Sequence, residues 1–358
     1  MSQLQTALSD TTISGYVDVA ATFSPGNTGV PYSFGAAKAQ ANGITLNAVD
    51  IALDKPMDES PWASGYHVEL EMGPNGPQYS SYTSVDGNYS YIRQAYLTLR
   101  TPVGNGIDWK VGYFDTIIGY ESNSSPLNPN YTHSYGYTIE PTSHTGVIGT
   151  YKFCDELSVT AGVADNSVAP GFDTGMYQPS VLGLVTLTAP DSFGPLKGAS
   201  ISAGIVNRTW TGGGDSYYVG ATIPTPLSAL SFGAAFDYLD QHNAVNGIFG
   251  VTPNSENDSM WDIAVYGSYK ATDKLAFNVR GEYFDNSASG VASAHTASIY
   301  PFSAAEELTF TVQYNLWANV LSRAEFRWDH VEHGYPYSSP NTQEANAYML
   351  ALNLIYQF

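Results

Sequence analysis

The chain has 358 residues, a net charge of −20 and only 13% charged residues, about half the usual ~25% share. That acidity argues against nucleic acid, whose binders present a basic face. No apolar run approaches the ~18 residues of a transmembrane helix, and Cys154, the single cysteine, excludes an internal disulfide. Sparse charge with 27 Tyr and 34 Gly instead suits lipid-wrapped β-strands, whose apolar face is hidden by alternation and bordered by aromatic girdles.

Residues 1–11 precede the first alternation and are read as an N-terminal periplasmic segment, with 12–358 as one transmembrane barrel. No leader precedes Met1, and an exported chain must have carried one, so the chain is read as a mature form with Met1 added for expression. Period-2 patterning then runs from end to end. Ile13, Gly15, Val17 and Val19 alternate with Ser14, Tyr16 and Asp18. Val49, Ile51 and Leu53 oppose Asp50 and Asp54; Tyr66, Val68, Leu70 and Met72 oppose His67, Glu69 and Glu71. Ala95, Leu97 and Leu99 oppose Gln94, Tyr96, Thr98 and Arg100, and Trp109, Val111 and Tyr113 oppose Lys110. Arg93 shares the parity of the apolar residues, so it either lies above the hydrocarbon zone or follows a bulge. Strands follow around Val147–Phe153, Leu157–Val163, Ile201–Ile205, Tyr217–Ile223 and Leu230–Phe236. A strand over 180–189 has both parities apolar, and its faces cannot be assigned. Trp261–Tyr269, Leu275–Tyr283, Leu308–Tyr314 and Ala324–Trp328 come next. The last strand sets Tyr348, Leu350, Leu352, Leu354, Tyr356 and Phe358 on one face. Its terminal aromatic resembles the sorting signal of outer-membrane barrels, which makes the barrel assembly machinery an expected partner.

These elements predict an all-β fold: an up-and-down antiparallel transmembrane barrel of about 16 strands. Its connections alternate in length, as short periplasmic turns and long extracellular loops do. Short ones fall near 55–62, 101–106, 154–156, 190–198, 224–228, 271–274 and 317–319. Long ones fall near 24–41, 73–88, 116–142, 166–178, 209–215, 241–258, 287–306 and 331–344. Lys55, Arg100, Lys110, Lys152, Lys197, Lys270 and Lys274 gather at the short-turn end. Asp86, Glu121, Glu140, Asp173, Asp215, Glu256, Asp258, Glu306, Glu307, Glu332 and Glu344 are placed in the long loops. Such an outer rim either binds divalent cations that bridge lipopolysaccharide or merely keeps the loops soluble. His330 and His333 are read as solvated loop histidines, and no metal or cofactor is expected.

Sixteen strands leave an aqueous channel. With the first strand starting near Thr12, no large N-terminal plug is available, which argues against TonB-dependent transport. The loop over 116–142 is the longest, and it is the third, the position at which general porins fold a loop into the lumen. Around it, VGYFDTIIGYE (111–121), NPNYTHSYGY (128–137) and the HTGVIGTY that follows Pro141-Thr142-Ser143 resemble the OmpL-like outer-membrane β-barrel porin family of the porin-2 type. LNAVDIALDKP (46–56) and IRQAYLTLRTPVGNG (92–106) resemble its second and fourth strands. The resemblance implies a porin in the bacterial outer membrane with an unassigned solute, and likeness to general porins implies a possible homotrimer. Thr132-His133-Ser134-Tyr135 departs from the basic position frequent in that family, so an anion contact is not carried over.

Candidate lumen and constriction residues segregate by strand. Asp18, Asp50, Glu69 and Glu71 are acids on the first three strands; Lys110 and Arg208 are scattered bases. Arg280, Arg323 and Arg327 lie on strands thirteen and fifteen, interleaved with Glu282, Glu325 and Asp329. Asp115, Glu121 and Glu140 flank or belong to the third loop. The arginines either face these acids across the pore, as a transverse field, or pair with carboxylates on neighbouring strands. The net acidic lumen predicts mild cation selectivity. The leading expectation is passive diffusion of small hydrophilic solutes or ions. Alternatives are a sugar or peptide channel using luminal Tyr16, Tyr96, Tyr218 and Tyr266, a structural or adhesive outer-membrane protein, and a sheath for a partner protein. No motif nominates an enzyme.

Overall fold

The computed structural model describes residues 10–25, 42–76, 91–165, 179–210, 214–240, 259–286, 303–332 and 345–358, with backbone alone for 208–210. Sixteen strands form a closed antiparallel barrel in sequence order. They are β1 (Thr12–Phe23), β2 (Gly43–Lys55), β3 (Ser64–Met72), β4 (Ile92–Thr101), β5 (Ile107–Asp115), β6 (Ser143–Lys152), β7 (Leu157–Ala164) and β8 (Ser180–Thr188). The second half continues with β9 (Ser200–Trp210), β10 (Gly214–Pro224), β11 (Leu230–Asp240), β12 (Ser259–Lys270), β13 (Leu275–Asn286), β14 (Ala304–Trp317), β15 (Val320–Glu332) and β16 (Asn346–Gln357). No helix among the described residues is long and apolar enough to cross a membrane. Crossing is by strands, whose backbone groups are satisfied within the closed sheet.

Alternation places each face. Leu350, Leu352, Leu354 and Tyr356 are exposed on the outside, whereas Met349, Ala351, Asn353 and Ile355 are buried inside. Aromatic neighbours pack on the outer face toward the long-loop end: Trp261 lies 5.5 Å from Tyr283 and 6.3 Å from Phe236, ring centre to ring centre. The barrel closes where β1 pairs with β16. There the Gly15 amide donates to the Phe358 carbonyl at 3.1 Å, and the Phe358 amide returns a bond to Gly15 at 3.0 Å.

One strand left unassigned by the sequence is now placed, and several boundaries differ from the sequence expectation. On β8, Val181, Val185 and Leu187 face out and Leu182 is fully buried inside. Both parities are apolar because the inner face also meets protein. The fifth long connection shrinks to residues 211–213, since β9 and β10 extend past the alternation read from sequence. Consequently Asp215 lies in β10; likewise Glu306 and Glu307 lie in β14 and Glu332 ends β15, none of them in a loop. His330 too is on β15, bonded through Nδ1 to Asn346 Oδ1 at 3.1 Å. Asp86, Asp173, Glu256, Asp258, His333 and Glu344 fall outside the described residues, as do residues 1–9 of the N-terminal segment.

Candidate functional site

Residues 116–142 leave β5, cross the lumen and return to β6. A bond from the Thr116 amide to the Thr142 carbonyl at 3.0 Å pins the base of this loop. Its sequence folds it locally. Asn128 clasps Ser122 by two bonds, 2.8 and 2.6 Å, around a 3-10 turn over Ser125–Leu127. Ser134 then caps the short helix α1 (Tyr135–Ile139) by accepting from the Tyr137 amide at 3.0 Å, the usual N-cap role of serine. Tyr137 stacks on His133 with ring centres 3.6 Å apart.

β13 to β15 lie diametrically opposite β5 and β6 in the strand order, and the loop docks on them through its own backbone. Glu325 accepts from the amides of Tyr131 at 2.5 Å and Thr132 at 3.0 Å, and Glu282 accepts from Tyr135 at 2.7 Å. Arg280 donates to the carbonyls of Thr132 at 2.7 Å and His133 at 3.0 Å. Arg327 donates to the His133 carbonyl at 2.6 Å, and Arg323 reaches those of Ser125 at 3.0 Å and of Asn128. Buried backbone groups must find partners, and here the wall's charged side chains supply them.

The three arginines are therefore a clamp and not a water-facing basic wall. The side chains of Arg280 and Arg327 are 0% exposed. A buried charge needs paired charges. Arg280 meets Glu121 at 2.9 Å and Glu307 at 3.1 Å; Arg327 meets Asp329 at 2.7 Å. Glu307, read from sequence as an outer-loop acid, belongs to this network because β14 starts earlier than its alternation suggested. Arg208 has no described side chain.

Apolar contacts reinforce the dock. Tyr135 and Ile139 pack with Leu239, Met260, Phe284 and Val331, each fully buried apolar side chain contributing roughly 1.5–3 kcal/mol. Ile118 packs with Leu182, Val206, Tyr218 and Tyr266. Tyr218 and Tyr266 thus support the loop and do not line a free path. Tyr16 is likewise occupied, donating to Glu71 at 2.9 Å.

The wall of β1 to β5 is acidic. Asp18 is held by Asn47 at 3.0 Å and Asn353 at 2.5 Å. Glu69 accepts from Gln94 at 2.7 Å, and His67 bridges Asp54 at 3.1 Å and Glu69 at 3.4 Å. Asp50 is buried beside Tyr16, opposite Glu71 on β3. Lys110 sits 4.6 Å over the Tyr96 ring. Arg93 enters here through a bulge. The β3–β4 register slips between Glu69–Gln94 and Leu70–Ile92, which turns Arg93 inward to meet Asp115 at 2.6 Å and Glu71 at 3.7 Å.

Loop charges respond to this setting. Burial acts to raise the Glu121 carboxyl, but Arg280 and His133, the latter at 2.7 Å, hold it down at about 2. Burial pushes His133 below its ordinary value. Glu140 moves the other way, well above the usual range, through burial and the neighbouring carboxyl of Asp237. Sequence reasoning missed Arg93, Asp237 and Asp262 as site residues. The two aspartates were visible on the polar parity of their strands; the arginine was flagged by its parity, and the bulge that was one of its two readings is what turns it inward.

A family model described as "Putative beta-barrel porin-2, OmpL-like" matches residues 10–358. The chain belongs to this porin family. It is an outer-membrane channel, a role consistent with its closed barrel and inward loop. The comparison with curated proteins found no match. Among solved structures, the outer membrane channel DcaP of Acinetobacter baumannii shares 14% identity at TM-score 0.66, covering 97% of each chain. The anion-selective porin from Comamonas acidovorans shares 11% at TM-score 0.62, covering 97% of this chain and 99% of that one. A trimer form of OmpT from Vibrio cholerae shares 15% at TM-score 0.61, with coverage of 97% and 99%. At such identities the likeness is one of fold.

Proposed function

We propose that this porin conducts small hydrophilic solutes and ions by passive diffusion, with a mild preference for cations, and that it acts as a channel without catalysis. One observation carries the preference. The clamp arginines are consumed by the dock, Arg93 is paired with Asp115 and Glu71 and Lys110 lies over the Tyr96 ring, while carboxylates of β2 and β5 keep access to water. Asp54 and Asp115 retain 41% and 31% of their side-chain exposure, against 0% for Arg280 and Arg327 and 8% for Arg93. On β6 to β9, neutral hydroxyls pair across the strands, Thr150 with Thr160 and Thr186 with Ser202, each at 2.8 Å. A lumen with fixed negative charge concentrates cations.

The reading includes a homotrimer in a lipopolysaccharide membrane, inserted by the barrel assembly machinery, with divalent cations at the acidic rim. The trimer form among the similar structures supports the first point. The likeness to an anion-selective porin makes selectivity the test that decides. Reversal potentials of single channels in a KCl gradient favour potassium on this reading, and a chloride-favouring potential sinks it.

A further inference from the structure

Behind helix α1, the loop buries a second cluster of carboxyls with no ion pair to the arginine clamp. Glu140, at the end of α1, is hydrogen-bonded to the Asp237 carboxyl on β11, and Asp262 on β12 stands beside them. All three are buried, Asp262 completely. Neither oxygen of Asp262 has a hydrogen-bond partner, and Asp237 Oδ1 also lacks one. Two glycines bring the loop this close. A Cβ on Gly136 would sit 2.7 Å from Asp237 Oδ2 and 2.9 Å from Asp262 Oδ2, and one on Gly119, where φ is +114°, would strike the Glu140 carboxyl.

Two carboxyl groups can share a hydrogen bond only if one carries a proton. We propose that Glu140, Asp237 and Asp262 form a proton-bonded latch that holds the third loop against β11 and β12, and that loss of its proton as pH rises releases it.

The surroundings favour this reading. Around the cluster stand Tyr218 on β10, Tyr266 on β12, Arg280 and Glu282 on β13, Glu307 on β14, and Tyr120, Glu121, His133 and Tyr137 in the loop. Among the described residues facing the carboxyls, Arg280 carries a fixed positive charge and is already bonded to Glu121 and Glu307; Arg93, which faces Tyr137, is paired with Asp115 and Glu71. The other charged neighbours described are acids, so none of them replaces the proton when it leaves. Glu140 is held above its free value by burial and by Asp237. The latch is therefore complete below the ordinary carboxylate range and weakens as pH rises through the raised docked value.

The test is hydrogen exchange of the reconstituted porin, with amide rates of 133–140 corrected for intrinsic chemistry. In the wild type, protection falls by up to ~10-fold per pH unit between the ordinary carboxylate range and the release point, the limit for a single linked proton, and levels off above it. Glu140→Gln, whose amide donates to Asp237 without a titrating proton, keeps the loop protected and removes the dependence. Asp273→Asn, at the far short-turn end, leaves it unchanged. Wild-type protection that stays flat from pH 6 to pH 10 overturns the proposal, as does a Glu140→Gln porin that follows the wild-type profile.

Discussion

Arg280 donates to Glu121 at 2.9 Å across 159 positions of sequence, joining the thirteenth strand to a loop that begins after the fifth. The same guanidinium holds Glu307 and two loop carbonyls. One side chain thus ties together wall, loop backbone and loop carboxylate.

Removing that side chain strands the buried acids. Arg280→Met leaves Glu121, Glu282 and Glu307 without their shared cation, a change that costs about 3–5 kcal/mol for a buried pair. The expected result is a lower unfolding midpoint in a denaturant titration of the folded barrel, with noisier open-channel current.

Loop removal acts on the pore itself. Deleting 122–138 takes away the segment that bonds to Arg323, Glu325, Arg327 and Glu282. Single-channel conductance in a planar bilayer is expected to rise. Unchanged conductance would mean that the loop does not limit the current.

Arg93 tests the acidic wall. Arg93→Gln leaves Asp115 and Glu71 without their partner at 2.6 and 3.7 Å. Potassium-over-chloride preference is expected to increase, read as a larger reversal potential at low salt, where screening is weak. A shift toward chloride would contradict the proposed selectivity.

Acid acts on Glu121 with the opposite sign to the latch. Its carboxyl is depressed from 4.5 to about 2 in the docked loop. Its contribution is therefore whole above the ordinary value and is lost as pH falls from 4.5 toward 2. Loop protection in hydrogen exchange should hold at pH 5 and decline below pH 4; Glu121→Gln should remove that decline.

The strands were legible because a half-wetted barrel enforces period 2 on nearly every stave. Where a stave meets protein on its inner face, as at Leu182 against Ile118, the code loses contrast. Arg93 shows another limit: its reversed parity pointed either to a bulge or to a place above the hydrocarbon, and the slipped β3–β4 register decides for the bulge. The arginines and carboxylates of β13 and β15 were recognisable as lumen residues. Their partners were not, because which loop atoms reach them depends on the path of residues 116–142 across the barrel and on no nearby spacing.

The seam between β1 and β16 has a kinetic consequence. Tyr16 pairs with Gln357, whereas the other strand pairings join neighbours in the chain. Hairpins can form as local units, but the ring cannot shut until strands from its two extremes meet. Joining ends so distant in sequence is slow, because chain entropy is lost before the contact is gained. Until then two unpaired strand edges stand open, each a template for the wrong neighbour. The bonds of Gly15 with Phe358 sit at this long-range seam, and a weakened seam is expected to show as misassembled chains.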